Sequence, residues 1–301
     1  MTFLRKTTPF YTLALFYIIV SFFLRVILIF HPITQASFSI IETIKIIALG
    51  FLSDLFIFTI VSSFLWLYLI FISNSKYLKP FGYIIFGMLV FLLIYIKFFN
   101  TILNEYGGVL PEIGFTFVAI KTILFGLLLF LPKYRAKIRY WLFSFVIFLF
   151  VLILLQTAIS EYFFWNEFGV RFNFIAVDYL VYTNEVIGNI MQSYPVIPLF
   201  SALYLIAGAV TYFIVRKSKN YIEDIPSFSE KLKITGVYFV LFAIAFFAIP
   251  NLSNKENSDN IFVNELQANG VNKFYKAFMN SELDYFKFYK TIPSDQAYSL
   301  L

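Results

Sequence analysis

Long apolar stretches dominate this sequence and limit what the chain can fold into. A transmembrane helix needs about 20 mostly apolar residues, with a range of roughly 17–25, because backbone groups in lipid must be hydrogen-bonded within the protein. The stretches that qualify are approximately 9–30, 46–72, 81–99, 113–132, 140–158, 196–215 and 234–250. The sequence therefore predicts an all-α, polytopic transmembrane bundle of about seven spans, or five if the two weakest stretches do not cross.

Composition supports this class and excludes several kinds of site. The chain is 60% hydrophobic and 13% charged, whereas soluble domains are about 45–50% apolar and about 25% charged. It has no cysteine and one histidine, His31. Disulfides, thiolate metal sites and cysteine nucleophiles are therefore excluded, few ligands remain for zinc or iron, and only an all-oxygen site stays open.

The basic residues predict an orientation. Lys and Arg cluster before the first stretch, after the second and fourth, and between the sixth and seventh, whereas 32–43 and 100–112 contain none and 159–194 contains only Arg171. This asymmetry places the N-terminus in the cytoplasm and residues 251–301 outside. Because the basic clusters are short and flank apolar stretches, no nucleic-acid partner is expected.

Charged residues also occur inside the predicted spans. Arg25 and Asp54 lie at estimated depths of roughly 9 and 15 Å, within reach of each other's side chains, and such residues normally pair inside the protein. We predict an Arg25–Asp54 pair between the first two spans, with a lipid-headgroup contact as the alternative. Lys121 is expected either to pair with Glu105 or Glu112 or to extend toward the membrane surface.

Residues 161–190 are aromatic but too charged for a span. Placed on a helix at 100° per residue, four charged residues share one face. They are Glu167, Arg171, Asp178 and Glu185. This pattern predicts an amphipathic helix, broken near Gly169, at the outer membrane interface, although a stripe that merely faces water would look the same.

The chain changes character after residue 250. A polar linker from Asn251 precedes apolar residues that are interrupted by Asn269–Gly270. We predict a transmembrane domain at 1–250, which includes the outer segment 159–194, and a connector at 251–301 with two short amphipathic helices on the outer leaflet. A disordered connector is the alternative.

Two longer segments and one short element resemble a known family. The segment "FFWNEFGVRFNFIAVDYLVYTNEVIGNIMQSYP" at 163–195 resembles the sequence that precedes a late span in bacterial lipoteichoic acid synthase-like proteins, in their proteobacterial, sulfatase-named branch. The segment "NELQANGVNKFYKAFMNSELDYFKFY" at 264–289 is similar to the family's connector between membrane and catalytic domains. The "ALGFLSDL" run at 48–55 resembles its G…DL element, which would make Asp54 a family feature.

The resemblance implies the membrane part of an enzyme in the alkaline phosphatase and sulfatase superfamily. Such enzymes are phosphoglycerol or phosphoethanolamine transferases or sulfatases, with a metal-dependent catalytic domain outside the bacterial cytoplasmic membrane. The expected partners are phospholipids of the phosphatidylglycerol or phosphatidylethanolamine class and a catalytic domain supplied elsewhere.

The sequence departs from the family where that catalytic domain should begin. It stops at "TIPSDQAYSLL", and no Cys or Ser stands in the C/S-x-P-x-R setting of sulfatases. We expect no catalytic residue, metal ligand or cofactor in this chain, with divalent Mn or Mg only in the missing domain, and no transferase activity from the chain alone.

Three functional interpretations follow for the polar residues. In the first, the chain anchors the enzyme and presents a lipid headgroup. In the second, it is a transporter or channel with Arg25, Asp54, Lys121 and 161–190 along a pathway, although no internal repeat supports this. In the third, it is a structural module that recruits a separate catalytic partner. The candidates for headgroup contact or a structural role are Arg25, Asp54, Glu167, Arg171, Asp178 and Glu185.

Overall fold

The computed structural model describes residues 8–72, 74–105, 108–218, 228–254 and 258–280. In this part of the chain the regular structure is helical and contains no strand. The long helices are α1 (Thr8–Ile29), α2 (Ile40–Val61), α4 (Phe81–Phe98), α6 (Leu110–Phe130), α7 (Pro132–Phe168), α10 (Val196–Lys217) and α11 (Phe228–Asn254). The short helices are α3 (Ser63–Phe71), α5 (Ile102–Glu105), α8 (Phe174–Val181), α9 (Thr183–Ser193), α12 (Ile261–Gln267) and α13 (Gly270–Met279), with a 3-10 turn at Asn74–Tyr77.

The predicted membrane class is confirmed. Within the described ranges, seven helices are long and apolar enough to cross a membrane, and each overlaps one of the seven predicted stretches. The chain is therefore an all-α, multi-pass membrane protein. The orientation of its termini stays a prediction.

The second span differs from its prediction at both ends. Helix α2 begins at Ile40, earlier than predicted, because Ser39 and Glu42 cap it reciprocally: the Ser39 N–H donates to Glu42 Oε2 at 2.9 Å and the Glu42 N–H to Ser39 Oγ at 3.2 Å. This arrangement satisfies two amide groups that a helix start otherwise leaves unpaired. At the other end the apolar stretch is divided at Ser62 into α2 and α3.

The fifth span is much longer than the predicted 140–158. Helix α7 begins with Pro132, a residue favoured at the first helical position, and runs to Phe168. It ends where Gly169 adopts a φ of 67°, the left-handed conformation common just after a helix. The predicted break near Gly169 is confirmed.

The prediction of one charged helix face over residues 161–190 is wrong. Glu167 lies on α7, Arg171 in the turn that follows it, Asp178 on α8 and Glu185 on α9. The helix is interrupted from Gly169, which has a positive φ, to Asn173, so that positions four and seven residues apart on the two sides no longer share one helical face.

The described residues fall into two compact units. Unit 1 lies within Met1–Ala14, Ser62–Leu152 and Leu205–Val240, and unit 2 within Leu15–Val61, Ile153–Tyr204 and Leu241–Leu301. In unit 1 the Trp66 ring stacks on Tyr238 with centroids 4.4 Å apart, and Phe10 meets Trp66 edge-on at 4.9 Å. Such aromatic pairs stabilise beyond the area they bury.

Unit 2 has a core to which the C-terminal segment contributes. Its buried residues are Leu24, Leu28, Ile46, Trp165, Val263 and Leu266. The Trp165 ring is fully buried, and its Nε1 donates to Thr34 Oγ1 at 3.1 Å, which satisfies the only polar atom of that side chain. The core therefore joins α1, α2, α7 and α12 within one unit.

The C-terminal segment forms the two predicted short helices, separated at Ala268–Asn269. Helix α12 packs one face against the bundle, since Val263 and Leu266 are completely buried in the core of unit 2. The position of both helices relative to the outer leaflet stays a prediction. The "DYFKFY" part of the predicted connector lies outside the described residues, and its role as a connector stays a prediction.

Because the chain has no cysteine, burial of α12 is testable by single-cysteine labelling. We expect Val263→Cys to react slowly with a water-soluble maleimide in the folded, detergent-solubilised protein, whereas Asn280→Cys, at an exposed position, reacts quickly. Both should react fully after denaturation. Equal rates in the folded protein would contradict the docking of α12.

Candidate functional site

The predicted Arg25–Asp54 pair is present. Arg25 on α1 donates from Nη2 to Asp54 Oδ2 on α2 at 2.7 Å, and the two residues are only 2% and 3% exposed. An unpaired charge within a membrane span is costly. The pair therefore holds the first two spans together in unit 2.

Gly50 provides the space that this pair needs. It lies four residues before Asp54, and therefore on the same face of α2. A Cβ at position 50 would overlap the Arg25 guanidinium. The Gly50 and Asp54 positions of the "ALGFLSDL" run therefore act together, one admitting the guanidinium and the other neutralising it.

Two arginines bind the carbonyl groups at the end of α12. Arg25 Nη1 donates to the carbonyl oxygens of Leu266 and, at 3.2 Å, of Ala268. Arg171 donates from Nε to the Glu265 carbonyl at 2.9 Å and from Nη2 to that of Leu266 at 3.4 Å. The last carbonyls of a helix lack helical partners, and a cation there is favoured by the helix dipole.

Asn269 connects the ion pair to the next helix. Its Nδ2 donates to Asp54 Oδ1 at 2.7 Å and to the Tyr17 hydroxyl at 2.8 Å. Its Oδ1 accepts from the N–H groups of Val271 and Asn272 at 3.0 and 3.3 Å, which caps the start of α13. A single side chain thus fixes both the position and the start of this helix.

A second ion pair lies beside the first. Arg171 Nη1 pairs with Glu161 Oε1, and both side chains are buried. A Cβ at position 270 would overlap the Glu161 carboxylate, so Gly270 admits this carboxylate as Gly50 admits Arg25. Glu265 accepts from the Arg171 N–H at 3.0 Å and pairs with Lys273 Nζ at 2.6 Å.

These contacts form what we call the buried charge network. Its members are Arg25, Asp54, Glu161, Arg171, Glu265, Asn269 and Lys273. The three cations are matched by three carboxylates. Burial lowers the pKa of Arg171 to about 9, and the Arg25 charge acts in the same direction, yet the Arg171 guanidinium still keeps its proton at neutral pH. The arrangement can fix helices in place, and it offers no unpaired nucleophile or base.

The structure brings together three of the six predicted site residues. Arg25, Asp54 and Arg171 belong to the buried charge network, whereas Glu167, Asp178 and Glu185 are exposed. The sequence reasoning missed the partners that complete the network. They are Gly50, Glu161, Glu265, Asn269, Gly270 and Lys273. The Asn269–Gly270 dipeptide was a visible signal, since Asn caps helices and Gly admits close approach.

Glu167 lies instead at a cavity within unit 2, which we call the unit 2 cavity. The cavity has a volume of about 590 Å³ and is lined mainly by aromatic and aliphatic side chains. The Phe172 ring lies 5.3 Å from Phe164 and 6.1 Å from Phe274 of α13. Glu167, Tyr179 and other polar side chains line other parts of its wall.

In unit 1, Lys121 is neither buried nor paired with Glu105 or Glu112. Lys121 is exposed on α6, and its Nζ lies 5.6 Å from the centroid of the Phe117 ring. Within the described residues, no salt bridge joins it to Glu105 or Glu112. Of the two alternatives for Lys121, pairing with either carboxylate is therefore wrong, and extension toward the membrane surface stays a prediction.

The described residues do not suit a catalytic metal. Nowhere in the described ranges do three His, Asp or Glu side chains lie close enough together to hold one. Because a divalent metal does not fit these residues, no metal-dependent step is assigned to them. Comparisons with protein-family models, with curated proteins and with solved structures find no match to the chain.

The Arg25–Asp54 pair should show strong energetic coupling. We expect Arg25→Met and Asp54→Asn each to destabilise the protein by about 3–5 kcal/mol, because each leaves a buried partner without its counter-charge. The double variant should lose less than the sum, by roughly 0.5–3 kcal/mol. Thermal unfolding in detergent measures this, with exposed Glu185→Gln as the neutral control; strict additivity would refute the pair.

The two close-contact glycines should tolerate no side chain. We expect Gly50→Ala and Gly270→Ala to lower the unfolding temperature, because the added methyl group displaces Arg25 or Glu161. Gly188→Ala is the matched control in unit 2, since nothing lies within 4 Å of its added Cβ and alanine favours a helix by about 1 kcal/mol. Equal melting temperatures for all three variants would contradict this role.

Proposed function

We propose that this chain is the membrane anchor and lipid-presenting part of a lipoteichoic acid synthase-like enzyme of the bacterial cytoplasmic membrane. The enzyme would be a phosphoglycerol or phosphoethanolamine transferase, or a sulfatase-like hydrolase. The resemblance of residues 163–195 and 264–289 supports the family. The observation that carries lipid presentation is the unit 2 cavity, whose wall includes the docked C-terminal helix.

The size and lining of this cavity suit an acyl chain. Its volume of about 590 Å³ lies within the roughly 300–1,000 Å³ typical of small-molecule sites. Rings of Phe163, Phe164 and Phe200 supply apolar wall, and Phe163 packs against Tyr194 with centroids 4.5 Å apart. Aromatic side chains with a polar end suit the zone between hydrocarbon and headgroups.

The polar part of the wall suits a headgroup. The Glu167 carboxylate accepts hydrogen bonds only, and the Tyr179 hydroxyl both donates and accepts. Glycerol hydroxyls or an ethanolamine ammonium could donate to Glu167. This is the chemistry expected for phosphatidylglycerol or phosphatidylethanolamine.

The buried charge network supports the presenting role. It fixes α12 and α13 against α1, α2 and α7, and Val271 and Phe274 of α13 complete the cavity wall. In the family interpretation, the residues after α13 lead to the catalytic domain. A lipid in this cavity would then lie beside the segment that connects to the active site.

The transporter interpretation receives less support. It requires Arg25 and Asp54 to line a pathway, yet both are buried and engage each other, Asn269 and the end of α12. These contacts indicate that the two side chains hold helices together within unit 2. A module that recruits a separate catalytic partner stays a prediction, compatible with the same anchoring role.

Photocrosslinking with a diazirine-acyl phosphatidylglycerol tests the proposal. We expect wild-type crosslinks to map to the cavity-lining stretches of α7 and α8. Leu180→Trp, at a cavity-lining position, should reduce them at least about fivefold, the change expected for roughly 1 kcal/mol of lost fit. Ile187→Trp on α9, exposed and outside the cavity, is the matched control.

The same samples report on chemistry. We expect the 301-residue chain to release no diacylglycerol from phosphatidylglycerol, because its described residues contain no ligand cluster that could hold a metal beside a nucleophile. Release by the purified chain would contradict the assignment to an anchoring role. A crosslink yield that is unchanged in Leu180→Trp would contradict lipid binding in this cavity. A yield that decreases equally in Leu180→Trp and Ile187→Trp would also contradict it.

A further inference from the structure

Unit 1 contains a second cavity, which we call the unit 1 cavity. It has a volume of about 530 Å³ and is bounded by α3, α4, α6, α7 and the 3-10 turn. Most of its wall is apolar, with residues such as Leu89, Val118 and Leu142. Three cationic side chains also line it. They are Lys76, Lys121 and Arg139.

The described residues around this cavity supply no negative charge. None of its lining residues is acidic. This contrasts with the buried charge network of unit 2, where every cation is matched by a carboxylate. A cationic, otherwise apolar cavity is complementary to an anionic amphiphile.

Two of the three cations lie within the long helices that bound the cavity. Lys121 precedes the end of α6 at Phe130 by nine residues, and Arg139 follows the start of α7 at Pro132 by seven. At 1.5 Å per residue these positions lie about 14 and 10 Å from the helix ends. Both side chains line the cavity.

Neutral groups position two of these cations. Arg139 donates to the Ile72 carbonyl and, at 2.6 Å, to Asn74 Oδ1. This contact places the guanidinium beside the 3-10 turn that carries Lys76. Lys76 Nζ lies 5.3 Å from the centroid of the Tyr77 ring, a cation–π contact that moderates the charge without neutralising it.

The electrostatics of Lys76 agree with this geometry. Burial, together with the charges of Arg139, Lys121 and Lys231, lowers the pKa of its ammonium group to about 8. Part of this lowering comes from repulsion by Arg139 and Lys121, which line the same cavity. An anion among them would relieve that repulsion and raise the pKa of Lys76.

The wall of the cavity is exposed on one side. Leu92 on α4 and Phe117 on α6 are 42% and 60% exposed, and Lys121 is exposed beside them. Because α4 and α6 are membrane-spanning helices, exposed apolar side chains on them face lipid. A bilayer lipid can therefore reach the cavity from the side.

We infer that the unit 1 cavity binds an anionic phospholipid, with its phosphate among Lys76, Lys121 and Arg139 and an acyl chain along the apolar wall. The ligand is a lipid because the cavity combines cations with an apolar volume between membrane-spanning helices. This site is separate from the unit 2 cavity and does not depend on the proposed enzymatic function. It would be a lipid site that stabilises unit 1.

Native mass spectrometry of the delipidated full chain tests this inference. The probes are dioleoyl phosphatidic acid, dioleoyl phosphatidylcholine and inorganic phosphate. We expect phosphatidic acid to bind wild type more tightly than the other two, and Lys76→Gln/Lys121→Gln to weaken it at least about tenfold, since charge-assisted hydrogen bonds are lost. Lys97→Gln, on α4 but outside the cavity, should bind like wild type.

Three results would overturn the inference. These are equal binding of phosphatidic acid and phosphatidylcholine, equal loss in the Lys97→Gln control, and unchanged binding in the double variant. Inorganic phosphate that binds as tightly as the lipid would show a free-anion site instead and would also overturn it. If the double variant does not fold, Lys121→Gln alone, at an exposed position, is judged by the same criteria.

Discussion

The energetic cost of placing Arg25 inside the membrane organises unit 2. A guanidinium carries five N–H donors and a charge that cannot be removed by deprotonation, so its surroundings must supply an anion and further acceptors. Asp54 supplies the anion, and the carbonyls at the end of α12 supply acceptors. These carbonyls would otherwise lack partners themselves. The arginine and the end of the helix therefore satisfy each other, and docking of the C-terminal segment follows from that mutual need.

Buried cations need partner groups in both units, and the partners differ between the two. In unit 2 the cations meet carboxylates of the protein, and the neutral network holds α12 and α13 beside an apolar cavity with Glu167 in its wall. In unit 1 the cations at the cavity meet carbonyl, amide and aromatic groups. Our two lipid proposals depend on this contrast. A charge-matched network favours structure, whereas an excess of cations beside an apolar volume favours an external anion.

Several features could be predicted from sequence because they depend on local rules. The seven spans follow from apolar length, and the Arg25–Asp54 pair follows from the need of intramembrane charges for partners. The break near Gly169 and the two helices around Asn269–Gly270 follow from turn and capping chemistry. The single charged face failed because it assumed an unbroken helix through Gly169, where a left-handed residue changes the direction of the chain. The early start of α2 was missed, although Ser39 and Glu42 have capping spacing.

The amino-acid sequence by itself determined that this chain is an all-α membrane protein, because 20-residue apolar stretches have no other way to satisfy their backbone in lipid. It also determined that Arg25 and Asp54 needed partners. Only the tertiary structure decided that α12 ends against Arg25 and Arg171, that Glu161 pairs with Arg171, and that Gly50 and Gly270 admit the charged groups. The contacts of α12 and Asn269 join residues more than 90 positions apart, the two glycine contacts depend on the absence of a side chain, and the Glu161–Arg171 pair forms across the turn at Gly169. Helical periodicity within one segment carries no information about contacts between different helices, because those contacts depend on how the helices pack.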